Sequence, residues 1–452
     1  MLRESLLTMT AVAALMISQR PAVAGPTGGS VVAGSAGIQQ SGNTTNINQS
    51  SNNAIINWQG FSVGAKETVN FNQPSASSAT LNRVIGNESS VINGAINANG
   101  QVFIVNSNGV LFGKGSQVNV GGLVASTLDI SNADFMAGRY TFSGNSTASV
   151  VNSGRIHASS GGYVSLLGKT VSNDGVISAN LGTVALASGQ QITLNFGGNS
   201  LVDVTIDKGT LNALVSNKRA IIANGGQVIM TAKAADEVLS AQVNNTGIIQ
   251  ARTMASLTGG RSGTRVVHTG SIKLLAQGGT VNVSGKLDAS APKGGPGGSI
   301  ETSGNKVNVA DNAVITTKSA SGQDGNWLID PDGFTIAASG GDISGATLAS
   351  ELANGNVTIA STSGSGADGN INVNDAVTWS SGSNLTLNAT NSVIVNAAMS
   401  WGTGKLTLNA ANQSIAINAP LTSAAGGALV VNAASGAANI KAALNVATIG
   451  GT

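Results

Sequence analysis

One five-residue pattern recurs near the C-terminus and decides the fold: residues 385–389 (LTLNA), 393–397 (VIVNA), 406–410 (LTLNA), 415–419 (IAINA) and 429–433 (LVVNA). The starts of these copies lie 8, 13, 9 and 14 residues apart, so alternate copies are separated by 21, 22 and 23 residues. Within each copy apolar and polar residues alternate, which is the pattern of a half-buried β-strand. The spacing therefore predicts coils of 20-odd residues, each made of two or three short strands.

Similar repeats extend toward the N-terminus, at residues 94–105, 154–166 and 175–186. A single coil cannot bury its apolar face, whereas stacked coils enclose a continuous apolar interior and pair each strand above and below. We therefore predict an all-β protein, a right-handed parallel β-helix (β-solenoid) with an N-terminal cap. A β-sandwich uses similar short strands but seldom keeps so regular a period.

The repeat also predicts dimensions. About 428 residues after an export signal, at about 21 residues and 4.8 Å per coil, would give a rod of about 20 coils and about 95 Å. Trp58, Phe61 and Phe71 can cover the N-terminal end of such a rod. The C-terminal residues still read as coil strands, so we expect further coils to follow the given end.

Composition excludes several classes of protein. The chain is 41% hydrophobic and only 9% charged, unlike a disordered chain. The net charge is +2 without a block of basic residues, so no nucleic-acid partner or anionic membrane is expected. The absence of cysteine excludes disulfides, thiol catalysis and cysteine-held metals.

The first 24 residues have the features of a secretory signal peptide. Residues 6–17 form a short apolar run, and residues 22–24 (AVA) give a cleavage site between Ala24 and Gly25. No later stretch is long and apolar enough for a transmembrane helix. We divide the chain into a signal peptide (1–24), a domain with the first coils (25–290), a Gly/Pro-rich loop (291–299) and further repeats (300–452).

Three segments depart from the repeat. Residues 231–242 (TAKAADEVLSAQ) predict a short external helix, and residues 292–298 (PKGGPGG) predict a flexible loop and a domain boundary. Residues 326–337 (NWLIDPDGFTIA) predict an insertion that covers one edge of the rod.

The stretch from 28 to about 127 resembles the haemagglutination-activity domain of the filamentous-haemagglutinin family, which is exported by two-partner secretion. The resemblance rests on residues 54–61 (AIINWQGF), 69–74 (VNFNQP), 81–84 (LNRV), 98–113 (ANGQVFIVNSNGVLFG) and 121–127 (GGLVAST). Within these segments, the family-match residues are Asn70, Gln73, Pro74, Asn82 and Arg83.

The resemblance implies that residues 25–290 are a two-partner-secretion domain. It also implies export through the periplasm, recognition by a dedicated outer-membrane β-barrel transporter, and folding outside the cell. The family carries an Asn-Pro-Asn motif followed by Gly or Leu, and the matching residues here are Asn106, Ser107, Asn108 and Gly109. Serine and proline both suit the second position of a type I turn. These four residues are either the secretion motif that the transporter recognises or only a corner of one coil.

Catalytic and cofactor sites have few candidates. His157 is expected to point into solvent because its neighbour Ile156 points inward, and no other chemistry accompanies His268. Residues 330–333 (DPDG) form the best carboxylate cluster but lack the later Glu of a calcium loop, which favours a turn. The Gly-rich segment at 294–298 lacks the Lys-Ser/Thr of a phosphate loop.

The sequence therefore indicates a non-enzymatic, adhesin-like exoprotein, secreted or held at the bacterial surface, without a cofactor or a metal. Its partners would be the transporter and a host-cell or carbohydrate receptor. The alternatives left open are a carbohydrate-active β-helix enzyme, a haem-acquisition protein and the delivery stalk of a contact-dependent inhibition toxin.

Overall fold

The computed structural model describes residues 25–196, 201–236, 240–258, 264–361 and 369–451. The predicted signal peptide (1–24), including Ala24 of the cleavage site, lies outside these ranges. In the described ranges no helix is long and apolar enough to cross a membrane.

Four strands close the N-terminal end: β1 (Ser30–Ala33), β2 (Ala36–Ser41), β3 (Thr44–Gln49) and β4 (Asn53–Trp58). Strands β2 and β3 form an antiparallel hairpin, and β1 lies antiparallel to β4. Trp58, Phe61 and Phe71 are at most 2% exposed behind this end of the rod. The N-terminal cap predicted from these aromatic residues is confirmed.

Above the cap, the chain winds into coils whose strands pair in parallel with the coils before and after. The first elements are β5 (Thr68–Asn72), β6 (Ala79–Val84), β7 (Ser90–Ile92), β8 (Ala95–Ala98), β9 (Gln101–Val105), β10 (Val110–Phe112), β11 (Gln117–Ser126), α1 (Asn132–Met136), β12 (Tyr140–Ser143), β13 (Ser149–Asn152), β14 (Arg155–Gly168), β15 (Thr170–Asn173), β16 (Val176–Ser178), β17 (Thr183–Ser188), β18 (Gln191–Phe196), β19 (Val202–Lys208), β20 (Leu214–Asn217), β21 (Ala220–Ile222), β22 (Gln227–Lys233), β23 (Ala241–Asn245) and β24 (Ile248–Gln250).

The second half of the chain continues the same winding. Its elements are β25 (Met254–Thr258), β26 (Thr264–His268), β27 (Ser271–Val283), β28 (Lys286–Asp288), β29 (Ser299–Val309), β30 (Val314–Thr316), β31 (Asn326–Asp330), β32 (Phe334–Ile336), α2 (Gly345–Leu352), β33 (Asn356–Ala360), β34 (Ile371–Val373), β35 (Val377–Trp379), β36 (Leu385–Ala389), β37 (Val393–Val395), β38 (Met399–Trp401), β39 (Lys405–Ala410), β40 (Ile415–Ile417), β41 (Leu421–Ser423), β42 (Ala428–Ala433), β43 (Ala438–Ile440), β44 (Leu444–Asn445) and β45 (Thr448–Gly451).

The parallel ladders form three faces. Face 1 is unbroken from β4 through β6, β9, β11, β14, β17, β22, β27, β29, β31, β33, β36, β39 and β42 to β45. Face 2 begins with β7, β10 and β13. After an interruption it resumes as a separate ladder that runs from β32 to β43. Face 3 runs from β5 to β30 and again from β35 to β44. The predicted β-helix is confirmed.

The fourteen steps of face 1 span about 67 Å at about 4.8 Å per step. The predicted 20 coils and 95 Å are wrong because the cap and several insertions take residues out of the coils. Inside the rod, the expected alternation holds. Leu385 and Leu387 are fully buried, and they stack in register on Leu406 and Leu408 of the next coil.

A second core lies outside the coils, on the outward side of face 1. Strands β12, β18 and β19 form an antiparallel sheet and, with α1, cover apolar side chains that face 1 turns outward. Phe103 of face 1 meets Phe135 of α1 at 5.2 Å and Tyr140 of β12 at 5.3 Å between ring centroids. This sheet was not predicted from the sequence, because its strands have the same alternation as coil strands.

Two local predictions are wrong. Within residues 231–242, the described ends belong to β22 and β23, which pair with β27, so strands lie where the predicted helix would begin and end. Coil pairing buries Ala232 completely and overrides the helical propensity of the alanines. Residues 326–330 likewise form coil strand β31 rather than an insertion, with Trp327 buried in the core. Residues 292–298 are a loop, as predicted, between strands of successive coils.

A ladder of buried asparagines runs through the corner after face 2. The side-chain amide of Asn152 donates to Asn173 at 2.7 Å, Asn173 to Asn217 at 2.8 Å, and Asn217 to Asn245 at 2.8 Å. All four side chains are fully buried. Each amide satisfies the next, which removes the cost of burying an unpaired polar group.

We predict that Asn217→Ala lowers the free energy of unfolding by about 2 kcal/mol, because it removes one hydrogen bond from each of the two neighbouring buried side-chain amides. Asn396→Ala is the matched control, since Asn396 belongs to a ladder of the same kind that is exposed to solvent. Its cost should be about 0.5 kcal/mol or less. Urea unfolding followed by circular dichroism compares the two, and equal midpoints would refute the role of burial.

Candidate functional site

The turn at Asn106, Ser107, Asn108 and Gly109 links β9 to β10 at the corner between faces 1 and 2. The peptide N–H of Gly109 donates to the carbonyl oxygen of Asn106 at 3.0 Å and so closes a β-turn. Gly109 has φ of 109°, a conformation that favours glycine. The turn forms with Ser107 where the family carries proline.

Asn106 holds this turn from within. Its side chain is fully buried, and its Oδ1 accepts the N–H of Asn108 at 2.9 Å. Its amide nitrogen donates to the carbonyl oxygen of Glu88 and to Ser90 Oγ, both at 3.0 Å. Glu88 and Ser90 belong to the preceding coil, so Asn106 joins two coils. Only Ser107 and Asn108 are exposed at the crest of the turn.

An open polar cleft of about 740 Å³ lies beside the crest. Its other wall is the loop between β12 and β13, where Ser146 Oγ donates to the carbonyl oxygen of Ser107 at 2.6 Å. Asp129 is the single ionisable residue in its lining, and its carboxylate binds Arg83 at 2.9 Å. The cleft therefore offers hydroxyl and amide groups with little net charge.

The family-match residue Gln73 joins two coils at the corner between faces 3 and 1. Its side chain is 7% exposed, and its Oε1 accepts the N–H of Gly100 at 3.0 Å. Its amide nitrogen donates to three oxygens, on Ser78, Thr80 and Gln101. Pro74 is exposed next to it. Asn70 stands in an outward ladder on face 3, made of Asn46, Asn70, Asn97 and Asn119.

Asn82 and Arg83 lie next to each other on face 1 but point in opposite directions. Asn82 is fully buried, and its Oδ1 accepts a hydrogen bond from the indole N–H of Trp58 at 3.0 Å. The one polar group of this buried cap side chain therefore has a partner. Arg83 points outward, where its guanidinium binds Asp129 at 2.9 Å and Asn132 at 2.6 Å. Arg83 thereby fixes α1 to the coils. The family-match residues with described contacts thus hold the fold together.

Candidate catalytic residues are not brought together. His157 is exposed, as predicted, with its Nδ1 2.9 Å from Ser178 Oγ, and His268 ends the external hairpin β25–β26. Residues 330–333 form a bend between β31 and β32, where burial and the charge of Asp330 raise the pKa of Asp332. Among the described residues, no three His, Cys, Asp or Glu side chains could hold a metal ion together.

Asp288 is the most strongly paired carboxylate of the coils. Burial alone would raise its pKa, but hydrogen bonds from Arg252, Ser290 and Lys286 hold that pKa at about 2. Arg252 Nη2 lies 2.8 Å and Lys286 Nζ 3.1 Å from its Oδ2. These bonds to the ionised carboxylate fix the corner after face 3.

Comparison with known proteins agrees with this geometry. The family model of the TPS secretion domain matches residues 22–283. Two heme/hemopexin-binding proteins of Haemophilus influenzae are 33% identical over 224 residues (47% of this chain) and 28% identical over 228 residues (46% of this chain). Each match covers 24% of the relative, so this chain spans about a quarter of the length of its curated relatives.

A solved structure extends the likeness over nearly the whole chain. The crystal structure of the HMW1 secretion domain from Haemophilus influenzae superposes with a TM-score of 0.59 at 26% identity. The match covers 95% of this chain and 100% of that one.

We predict that the two asparagines of the turn differ in their effect on stability. Asn106→Ala should lower the free energy of unfolding by about 3 kcal/mol, because it leaves buried donors and acceptors of two coils unpaired. Asn108→Ala removes one exposed bond, to the carbonyl of Gly86 at 3.0 Å, and should cost less than about 1 kcal/mol. Thermal unfolding of the two purified variants decides this, and equal losses would contradict the burial of Asn106.

Proposed function

This chain belongs to the family defined by the TPS secretion domain, and we propose that it works as an adhesin-like exoprotein. Members of this family are secreted or exposed at the bacterial surface, and the TPS domain implies an outer-membrane transporter as the export partner. The finer proposal concerns what the folded rod does outside the cell, which is to present a regular polar surface to a host-cell or carbohydrate receptor.

The observation that carries this proposal is that asparagine side chains form regular rows on the outer surface of the later coils. On face 1, Asn388, Asn409 and Asn432 form one outward amide ladder. At the corner that follows face 2, Asn374, Asn396 and Asn418 form a second, exposed ladder with bonds of 2.9 and 2.8 Å. Such rows present hydrogen-bonding groups at the coil spacing of about 4.8 Å, which suits a binding surface that extends along the rod.

We also propose that the chain is not an enzyme. The polar cleft beside the Asn106 turn contains one carboxylate, Asp129, and Arg83 already pairs with it. A carbohydrate-active β-helix would need several acidic and basic side chains converging on one exposed surface. Six carboxylates of the described residues instead form local ion pairs, such as that of Asp288 with Arg252.

The motif at residues 106–109 is proposed to act in export before the coils have closed. Asn106 is fully buried in the folded rod, so a transporter could contact its side chain only while the chain is unfolded. Asn108 is exposed in the folded rod and could be contacted in either state. The export role and the corner role are therefore compatible, and they can be separated by variants.

We predict that replacing Asn106 and Asn108 together with alanine reduces the amount of protein that a cell producing the partner transporter exports. Immunoblots of the medium and the cell surface measure this, and Asn396→Ala together with Asn418→Ala is the matched control. The single variant Asn108→Ala removes one exposed bond, so loss of export in that variant would indicate recognition rather than misfolding. Normal export of a stably folded double variant would indicate that the turn serves only as a corner of its coil and is not recognised by the transporter.

A haem-acquisition protein is the second candidate, because two relatives are heme/hemopexin-binding proteins. The candidate haem ligands that we consider in this chain are its two histidines, His157 and His268, which are both exposed. The adhesin proposal predicts no saturable Soret shift when purified protein is titrated with haemin. A saturable shift that is lost in the variant His157→Ala with His268→Ala would instead favour haem acquisition by this part of the protein.

A further inference from the structure

The stack of coils is interrupted once, at α2. Face 3 ends at β30 and resumes at β35, and in the described ranges no strand pairs with the upper edge of β30. Helix α2 lies between these two strands and packs against both of them. Face 2 is broken at the same level, between β29 and β32. Face 1 alone continues as a strand ladder, through β29, β31 and β33.

The helix takes over the hydrogen bonds that a coil strand would have made. Glu351 is 3% exposed, and its Oε2 accepts the peptide N–H of Ile315 at 2.8 Å. The carbonyl oxygen of Asn354 accepts the N–H of Thr317 at 3.0 Å. A side-chain carboxylate therefore closes the edge of β30 where a backbone carbonyl would otherwise lie. Leu348 and Leu352 fill the interior beneath it.

Charges from the neighbouring coils hold the two ends of the helix. At its start, Asp311 Oδ1 accepts the hydroxyl protons of Ser344 and Thr347, and Asp375 accepts the N–H of Gly345 at 2.8 Å. At its end, Lys318 Nζ donates to the carbonyl of Ala353 at 3.2 Å. The negative charges at the N-terminal end and the positive charge at the C-terminal end both complement the helix dipole. Asp311 and Lys318 flank β30, Asp375 precedes β35, and β33 carries no charged residue.

We propose that α2 is a joint of the rod, at which faces 2 and 3 open about the unbroken ladder of face 1, and that ionisation of Glu351 sets how firmly the joint closes. The neutral carboxyl closes the edge of β30 without charge. The ionised form places a negative charge among buried apolar side chains in the last turn of α2, where the only described cation contact, from Lys318, goes to the carbonyl oxygen of Ala353.

The direction of the pH effect follows from burial. Burial raises the pKa of Glu351 from its ordinary 4.5 to about 7, against the lowering effect of the bonds from Ile315 and Asn354. The closed joint is therefore most stable below about pH 4.5 and loses that stability as the pH rises through about 7. A shift of this size changes the opening equilibrium on the order of 100-fold, at tenfold per pKa unit.

Hydrogen exchange on the full chain tests the proposal. After correction for intrinsic rates, peptides that contain β30 and α2 should lose protection between pH 5 and pH 8.5, whereas peptides from β14 and β17 should not. Glu351→Gln keeps an acceptor for Ile315 without a charge and should stay protected at both pH values. Glu301→Gln is the matched control, since Glu301 pairs with Lys273 on the outward side of face 1, and it should behave as the wild type does.

A distance measurement distinguishes opening from local fraying. The chain has no cysteine, so spin labels can be placed at Val314→Cys and Thr378→Cys, two outward positions on face 3 below and above the helix. We expect a narrow distance distribution at pH 5 and a longer, broader one at pH 8.5, with Glu351→Gln narrow at both. Identical distributions at the two pH values, or the same broadening in Glu351→Gln, would overturn the proposal.

Discussion

Parallel pairing between successive coils is the constraint on which the rest of the structure depends. Each strand must place its apolar residues in register with those of the coil below, or one slip would turn its buried side chains outward. Extra chain can enter at corners without breaking a ladder. The external elements obey this rule: α1 and β12 lie between β11 and β13, β18 and β19 between β17 and β20, and the hairpin β25–β26 between β24 and β27.

The same constraint explains which features could be predicted from the sequence. The alternation at 385–389 repeats at the period of the coils, so fold class, inward residues and the cap were accessible from the pattern alone. The external sheet was not accessible, because β18 (QITLNF) alternates as coil strands do and only its position in space separates it from them. At residues 231–242, the alanines favour a helix locally, but pairing with β27 decides their conformation.

The candidate site was only half predictable for a related reason. A sequence motif names residue types at a spacing, whereas burial depends on what the neighbouring coil places against them. Asn106 and Asn108 look equivalent in the sequence, yet Asn106 bonds the preceding coil and Asn108 reaches solvent. The family-match residues Gln73 and Asn82 likewise serve corners and the cap, so a family signature in a β-helix marks architecture at least as much as recognition.

The two parts of the rod on either side of α2 are stabilised by different means. Below the helix, long-range contacts outside the coils close the structure, among them Arg83 with Asp129 and Tyr163 with Gln101 at 2.9 Å. The part matched by the TPS family model lies entirely within this region. Above the helix, each described coil gains its stability from the coil beneath it, as in other solenoids. The lower part depends less on the coils that follow it, because it has a second core of its own.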